Sequence, residues 1–131
     1  MKKLRGYIFS RPFLGERVPQ HIQNLVLREY CSRKKLQFLL SFVEYRFENS
    51  SLMLEKVLNE LNKTDGIIFY SLFQMPQDDK ERKVIYKKIL SKKKEIHFEV
   101  EEIKMKDVES VEFVENIFLI KKTLPNCLSK F

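Results

Sequence analysis

Residues 67–73 read Ile67-Ile68-Phe69-Tyr70-Ser71-Leu72-Phe73, a nearly continuous apolar run that decides the fold. A strand with one solvated face alternates apolar and polar side chains, whereas a strand covered by helices on both faces is apolar throughout. We therefore predict that this segment is the central strand of a parallel sheet.

Apolar spacing alternates between strand-like and helix-like stretches on both sides of this run. Further strands are predicted at residues 5–10, 36–45 and 95–105, and the alternation in the last one favours a sheet edge. Helices are predicted at residues 19–33, 54–61, 77–91 and 107–117. Strands that alternate with helices in this way predict one α/β domain, a small doubly wound parallel sheet of about four strands.

Length and composition are those of a single-domain protein. Residues 1–122 are predicted to form the domain. Residues 123–131 show no apolar period and are predicted to form a C-terminal tail.

Cys31 and Cys127 lack the spacing of a zinc site, a redox pair or a disulfide framework. No apolar run is long enough to span a bilayer, no secretory pattern opens the chain, and no Gly-rich dinucleotide motif occurs. We expect a cytoplasmic protein with no membrane span, metal or cofactor.

The chain is basic, with 25 lysine and arginine residues against 18 aspartate and glutamate residues and a net charge of +7. Such an excess favours anionic partners such as nucleic acid, anionic lipid or a phosphorylated ligand. The basic residues cluster mainly in residues 80–94, within one predicted helix, and charged helix faces usually serve solubility. We therefore expect no specific nucleic-acid partner.

Candidate functional residues follow the first predicted strand. In parallel sheets, ligands bind at the carboxyl ends of the strands, and Ser10, Arg11, Glu16, Arg17 and His21 all fall there. The arginines would bind a phosphate or carboxylate beside the positive end of the helix dipole. Ser10 and His21 form a candidate catalytic pair, because that dipole favours a neutral imidazole that would act as a base. The alternative is a solvated loop in which the arginines pair with Glu16.

Two residues at the ends of other predicted strands extend this candidate site. Glu44 and Ser71 are predicted to contribute to ligand binding, because the carboxyl ends of neighbouring parallel strands meet at one edge. His97 falls inside a predicted strand and is expected to be structural.

The start of the chain resembles the catalytic domain of serine recombinases, also called resolvases. The run Gly6-Tyr7-Ile8-Phe9-Ser10-Arg11 is similar to the strand that carries their nucleophilic serine, and Gln23 matches a glutamine of their next helix. Ser10 stands four residues after Gly6, whereas recombinases place the serine five residues after that glycine. The resemblance implies a resolvase-like or flavodoxin-like three-layer fold and makes Gln23 a candidate ligand-binding residue.

The arginines of recombinases are missing from the matching positions. The segment Tyr70-Ser71-Leu72-Phe73-Gln74 stands in place of their Asp-Arg-Leu-x-Arg motif, and residues 48–54 contain no arginine. Clustered guanidinium groups stabilise charge in phosphoryl transfer, and losing one such contact typically costs about 10²-fold in rate. We therefore predict that the chain is not an active recombinase.

A closer resemblance, over about residues 5–122, is to small bacterial proteins named for sporadic carbohydrate clusters, which are encoded beside surface-polysaccharide genes. It is carried by residues 6–13 and 15–21, by Asp65-Gly66-Ile67 and by Tyr70-Ser71-Leu72-Phe73. It implies a role in surface-carbohydrate synthesis, in which the chain binds or processes an anionic sugar or nucleotide-sugar intermediate. The alternatives are a degenerate resolvase-like DNA-binding module and a non-catalytic partner of another cluster enzyme.

A homodimer is the expected assembly. Phe113 lies on the last predicted helix and Phe118 at its end, and the two cannot both face one small sheet. We therefore predict that this helix or the charged helix at residues 77–91 mediates self-association.

Overall fold

The computed structural model describes the backbone of residues 1–10, 18–44 and 52–128, together with their side chains up to Lys121, except that of Leu52. Its strands are β1 (Lys3–Phe9), β2 (Gln37–Glu44), β3 (Gly66–Phe69), β4 (Glu95–Phe98) and β5 (Ile103–Met105). Its α-helices are α1 (Gln20–Arg33), α2 (Leu52–Asn59), α3 (Asp79–Ser91) and α4 (Val108–Leu128), with 3-10 turns at Leu61–Lys63 and Leu72–Gln74.

These strands form one sheet in the order β2-β1-β3-β4-β5, in which β1 to β4 run parallel. Strand β3 lies in the middle, and all of its residues are buried. The α/β fold with a mostly parallel sheet, predicted from the apolar run at residues 67–73, is confirmed. The strand itself ends at Phe69, earlier than the run suggests, because Leu72–Gln74 turns into a 3-10 helix.

Helices cover both faces of the sheet. Ile67 and Phe69 of β3 belong to a large core cluster with side chains of α2, α3 and α4. Ile68, which points to the other face, packs with Leu27 and Cys31 of α1. Because successive strand residues alternate between faces, a fully apolar strand contributes to both clusters at once. The result is the three-layer architecture expected from the sequence.

The predicted strand at residues 95–105 is two strands, so the described sheet has five strands and not about four. A turn at residues 99–102 separates β4 from β5, with Glu102 in the left-handed backbone region at φ 53°. Strand β5 runs antiparallel to β4 and occupies the sheet edge that the sequence assigned to the whole segment. The apolar alternation misled the prediction because Val100, which continues it, lies exposed in the turn.

The last helix is longer than predicted. Helix α4 continues to Leu128, so residues 123–128 of the expected tail are helical. Leu119 and Ile120 are exposed on this helix, so the apolar pattern beyond residue 117 no longer marks the buried face. In the described part of the chain, no helix has the length and apolar character needed to cross a membrane. The domain limits of 1–122 and 123–131 stay predictions.

Two glycines allow neighbouring groups to approach the sheet backbone closely. A Cβ atom at Gly66 would lie 2.1 Å from the carbonyl oxygen of Glu95 on β4. A Cβ atom at Gly6 would lie 2.1 Å from Oγ of Ser41 and 2.8 Å from the ring of Phe38. Both glycines belong to the segments that carry the sequence resemblance, and packing gives a physical reason for them.

Candidate functional site

Ser10 directly follows β1 at the edge of the sheet where the parallel strands end, called here the carboxyl edge. Its backbone N–H and its Oγ both donate to the carbonyl oxygen of Glu44, over 2.9 Å and 3.0 Å. The side chain of Ser10 is half-buried. The serine is thus held against the end of the neighbouring strand β2.

Gln23 fastens the start of α1 to the residue before Ser10. Its side chain is completely buried. Oε1 accepts a hydrogen bond of 3.1 Å from the N–H of Phe9, while Nε2 donates over 2.8 Å to the carbonyl oxygens of Phe9 and Val18. This amide therefore contacts backbone groups and another glutamine, and its predicted role in ligand binding stays a prediction.

The N-terminus of α1 consequently lies beside Ser10. Its N-cap residue is Pro19, which provides no side-chain hydrogen bond, and its first turn contains no acidic residue. Backbone N–H groups at a helix start carry partial positive charge and attract anions. His21 lies in this first turn with its side chain exposed, so the structure places it on the outer side of the edge.

Glu44 is buried at the end of β2 and interacts with the start of α2. Its carboxylate accepts a hydrogen bond of 2.9 Å from the hydroxyl of Tyr7. It also accepts from the backbone N–H groups of Met53 and Leu54 over 3.2–3.3 Å. A carboxylate at a helix N-terminus is stabilised by the helix dipole, so Glu44 supports the local structure whether or not it contacts a ligand.

Ser71 and Glu101 are joined at the ends of β3 and β4. Ser71 Oγ donates to Oε2 of Glu101 over 2.8 Å and accepts from the N–H of Phe73 over 3.2 Å. Glu101 Oε1 accepts from the N–H of Leu72 over 2.9 Å. These bonds fix the 3-10 turn that follows β3.

Gln74 is a buried polar residue that the sequence did not single out as a structural partner. Its Oε1 accepts from the N–H of Tyr70 over 3.1 Å, and its Nε2 donates to Oε1 of Gln23 over 2.8 Å. The ends of β1 and β3 and the start of α1 are thus connected through two glutamine side chains. The missed signal was a glutamine directly after an apolar run, a position at which a buried amide satisfies strand-end backbone groups.

Three of the predicted ligand-binding residues, Arg11, Glu16 and Arg17, lie outside the described residues. The structure brings Ser10, Gln23 and Glu44 together around the ends of β1 and β2, and Gln74 links this group to the turn that contains Ser71. Within residues 1–10, 18–44 and 52–121, no group of three His, Cys, Asp or Glu side chains is arranged to hold a metal ion.

His97 lies on the sheet face covered by α1 and is buried, as expected for a structural residue. Its Nδ1 is 2.8 Å from the hydroxyl of Tyr30, and its Nε2 is 2.8 Å from Oε1 of Glu95. Burial lowers the pKa of His97, although Glu95 opposes the shift. Burial also acts to raise the pKa of Glu95, but hydrogen bonds from His97 and Lys2 hold it below its ordinary value. A neutral His97 with its proton on Nε2 satisfies both neighbours.

Solved structures with the same architecture identify the fold. The N-terminal catalytic domain of TP901-1 integrase superposes with a TM-score of 0.65 at 18% identity, covering 95% of this chain and 98% of that one. A resolvase family site-specific recombinase from Streptococcus pneumoniae gives a TM-score of 0.64 at 8% identity, with 97% of each chain covered. The fold is that of a resolvase-like catalytic domain.

This likeness concerns the fold alone. No protein-family model matches the chain, and no curated protein matches it. The predicted resemblance to recombinase catalytic domains is therefore confirmed at the level of fold, whereas the resemblance to sporadic carbohydrate cluster proteins finds no support in these comparisons.

Proposed function

We propose that the chain is a resolvase-like domain that does not recombine DNA and that binds an anionic sugar or nucleotide sugar at the carboxyl edge beside Ser10. The observation that carries this proposal is the position of the first turn of α1. The buried amide of Gln23 bonds it to Phe9, so a helix start with no side-chain cap and no acidic residue adjoins Ser10. Such a helix start favours a phosphate or a carboxylate.

The sequence between these two points supports the same ligand class. Arg11 and Arg17 both fall between Ser10 and α1 along the chain. A guanidinium group donates two parallel hydrogen bonds to phosphate or carboxylate. Two arginines so near a helix start in the sequence would therefore neutralise the charge of the ligand and fix its orientation. The sugar is suggested by the resemblance to sporadic carbohydrate cluster proteins alone, and we accordingly propose a role in cytoplasmic steps of surface-carbohydrate synthesis.

The positions that replace the recombinase arginines support the exclusion of recombination. Ser71 and Gln74 are buried and bonded to Glu101, Gln23 and the backbone around them. Of the arginines whose side chains the structure describes, Arg5 contacts Glu60 and the carbonyl oxygen of Leu40, and Arg82 contacts Glu115. These pairings engage the guanidinium groups of Arg5 and Arg82 with other parts of the fold.

Calorimetry on the full chain with inorganic phosphate, a hexose phosphate and a uridine diphosphate sugar tests the proposal. Replacement of Arg11 or Arg17 by alanine should weaken binding of the preferred ligand by about 1.5–3 kcal/mol, the usual value of a hydrogen bond to a charged group. Lys34→Ala removes the same charge from the other end of α1 and should leave the affinity unchanged. Equal affinity in all three variants, or no binding by any of the three compounds, would overturn the proposal.

A further inference from the structure

The parallel strands start at the edge of the sheet opposite the carboxyl edge, called here the amino edge, and this edge is rich in lysine. The N–H of Gln37 donates to the carbonyl oxygen of Lys2, and the N–H of Asp65 donates to that of Lys3, each over 2.8 Å. The N–H of Glu95 donates to the carbonyl oxygen of Asp65 over 3.2 Å. The segments at the starts of β2, β1, β3 and β4 therefore lie side by side in one row.

Nine lysines belong to this row or adjoin it, and all are exposed except the half-buried Lys94. They are Lys34-Lys35 before β2, Lys2-Lys3 at the start of β1, Lys63 before β3, Lys92-Lys93-Lys94 before β4 and Lys106 after β5. Lys106 lies here because β5 runs antiparallel to β4, so that Met105 pairs with Ile96 near the start of β4. We call these nine residues the lysine edge. Neighbouring strands lie about 4.8 Å apart, so the lysine edge is roughly 20 Å wide.

Acidic residues beside the lysine edge do not neutralise it. Glu95 is buried and lies 2.9 Å from Nζ of Lys2. Asp65 accepts a hydrogen bond of 2.7 Å from the backbone N–H of Lys3, and Asp107 accepts one of 2.8 Å from a backbone N–H in the first turn of α4. Of the nine lysines, Lys2 alone has an acidic partner within 4 Å in the described part of the chain. Most of the positive charge is therefore available to an external partner.

Two of these lysines occupy backbone positions that favour glycine. Helices α1 and α3 both end in a Schellman motif, in which the residue after the C-cap adopts the left-handed backbone conformation. That residue is Lys35 after α1, at φ 59°, and Lys93 after α3, at φ 57°. Glycine adopts this conformation without the steric cost that a Cβ atom imposes. Lysine at both positions indicates that the charge itself is important at this edge.

We propose that the lysine edge binds the surface of an anionic lipid bilayer. Each lysine near such a surface contributes to binding, and lysines spread over a broad edge contact many lipid phosphates at once. The turn after β4 carries Glu99, Glu101 and Glu102, so basic and acidic residues lie at opposite ends of this strand. The bound chain therefore holds its amino edge on the lipid and its carboxyl edge toward the solution. This inference is independent of the proposed ligand.

The composition of the lysine edge favours lipid over nucleic acid. Arginine binds nucleic-acid phosphates in bidentate fashion, and proteins that bind single strands add aromatic side chains on which bases stack. The five segments of the lysine edge contain neither residue type. Arg33, which precedes Lys34, is paired with Glu29 and Glu102. Lysine ammonium groups act as point charges, and point charges suffice to attract the anionic headgroups of a bilayer.

Co-sedimentation of the full chain with phosphatidylcholine vesicles that contain either no phosphatidylglycerol or about 30 mol% of it tests the proposal. At about 0.1 M salt the chain should bind the anionic vesicles and not the neutral ones, and about 1 M salt should release it, because salt screens surface charges. The double variant Lys35→Gly/Lys93→Gly should bind about 25-fold more weakly, about fivefold for each lysine. Circular dichroism should show that this variant is folded and no less stable to heat, since glycine suits both positions.

Lys80→Gln/Lys83→Gln is the matched control, because it removes the same charge from the start of α3. These two lysines lie about 15–20 Å along the helix from Lys93, which exceeds the screening length of about 10 Å, so vesicle affinity should change by less than about twofold. Equal losses in the two double variants would overturn the proposal, since net charge and not the lysine edge would then be responsible. Absence of binding to the anionic vesicles at about 0.1 M salt would also overturn it. A short DNA duplex that binds more tightly than the vesicles and loses its affinity in Lys35→Gly/Lys93→Gly would instead assign the lysine edge to nucleic acid.

Discussion

Gln74 donates a hydrogen bond of 2.8 Å from its Nε2 to Oε1 of Gln23, and this bond joins the turn after β3 to the start of α1. The two amides also bond to backbone groups of Phe9, Val18 and Tyr70. Two side chains thus organise the carboxyl edge around the end of β1. The geometry of the proposed ligand site depends on this pair.

Replacement of Gln23 by alanine should destabilise the fold by about 3 kcal/mol, since several buried donors and acceptors lose their partner at once. Gln20→Ala, in the exposed first turn of the same helix, should cost less than about 0.5 kcal/mol. Urea denaturation of both variants gives the two values. Similar losses in the two variants would contradict the role assigned to Gln23.

Gly66→Ala should be more destabilising than Gly6→Ala. The added methyl group at Gly66 meets the backbone oxygen of Glu95, which cannot move without displacing β4, and the expected cost is about 3 kcal/mol. At Gly6 the nearest atoms belong to the side chains of Ser41 and Phe38, which can shift more easily than the backbone of a strand, so a smaller cost of about 1–2 kcal/mol is expected. Thermal unfolding monitored by circular dichroism ranks the two variants, and the reverse order would refute the packing argument.

The fold was predictable because its central strand is apolar on both faces and its helices have regular spacing. The prediction missed the division between β4 and β5 because Val100 continues the alternation through a turn, and no glycine or proline marks that turn. It also ended α4 early, since Leu119 and Ile120 break the pattern by facing solvent.

Individual positions of the candidate site were predictable, but the partners of these residues were not. Because Ser10 and Glu44 each stand at the end of a predicted parallel strand, the sequence correctly predicted that they lie at the same edge of the sheet. It gave no indication that Glu44 would bond to Tyr7 and the start of α2, or that Gln23 would bond to Gln74. Such pairings depend on side-chain direction across elements distant in sequence, which spacing along one element does not encode.

Stability should fall as the pH drops below the ordinary pKa of histidine, because burial lowers the pKa of His97 from 6.5. The unfolded chain then binds a proton that the folded chain excludes. The stabilisation is complete above pH 6.5 and is lost on acidification toward the lowered value, with a slope of at most about 1.4 kcal/mol per pH unit.

Urea denaturation between about pH 5 and pH 8 measures this slope. This pH window lies above the ordinary pKa values of aspartate and glutamate side chains. His97→Gln should flatten the profile, since an amide retains a donor for Glu95 and an acceptor for Tyr30 but does not titrate. His21→Gln, at the chain's other histidine, should leave the slope in place. A slope that survives in His97→Gln and disappears in His21→Gln would show the assignment to be wrong.

Incubation with supercoiled plasmid should give no strand cleavage and no covalent adduct at Ser10, because the matching arginines are absent. Any DNA binding should be independent of sequence and should disappear at moderate salt, as expected for a few lysine contacts to phosphate. Gel shift and denaturing electrophoresis measure both properties. A Ser10-linked DNA adduct would disprove the first statement, and a footprint that persists at physiological salt would favour the DNA-binding alternative.

The turn at residues 99–102 also determines where α4 lies relative to Ser10. Because β5 runs antiparallel to β4, it ends near the start of β4, and α4 therefore extends from there toward the carboxyl edge. At that edge Lys121 lies over the ring of Phe73. Met1 precedes β1 at the opposite edge and is 85% exposed. A fluorophore or surface tether attached at Met1 would therefore leave the carboxyl edge open to the surrounding solution, whereas a fusion to α4 would stand beside it.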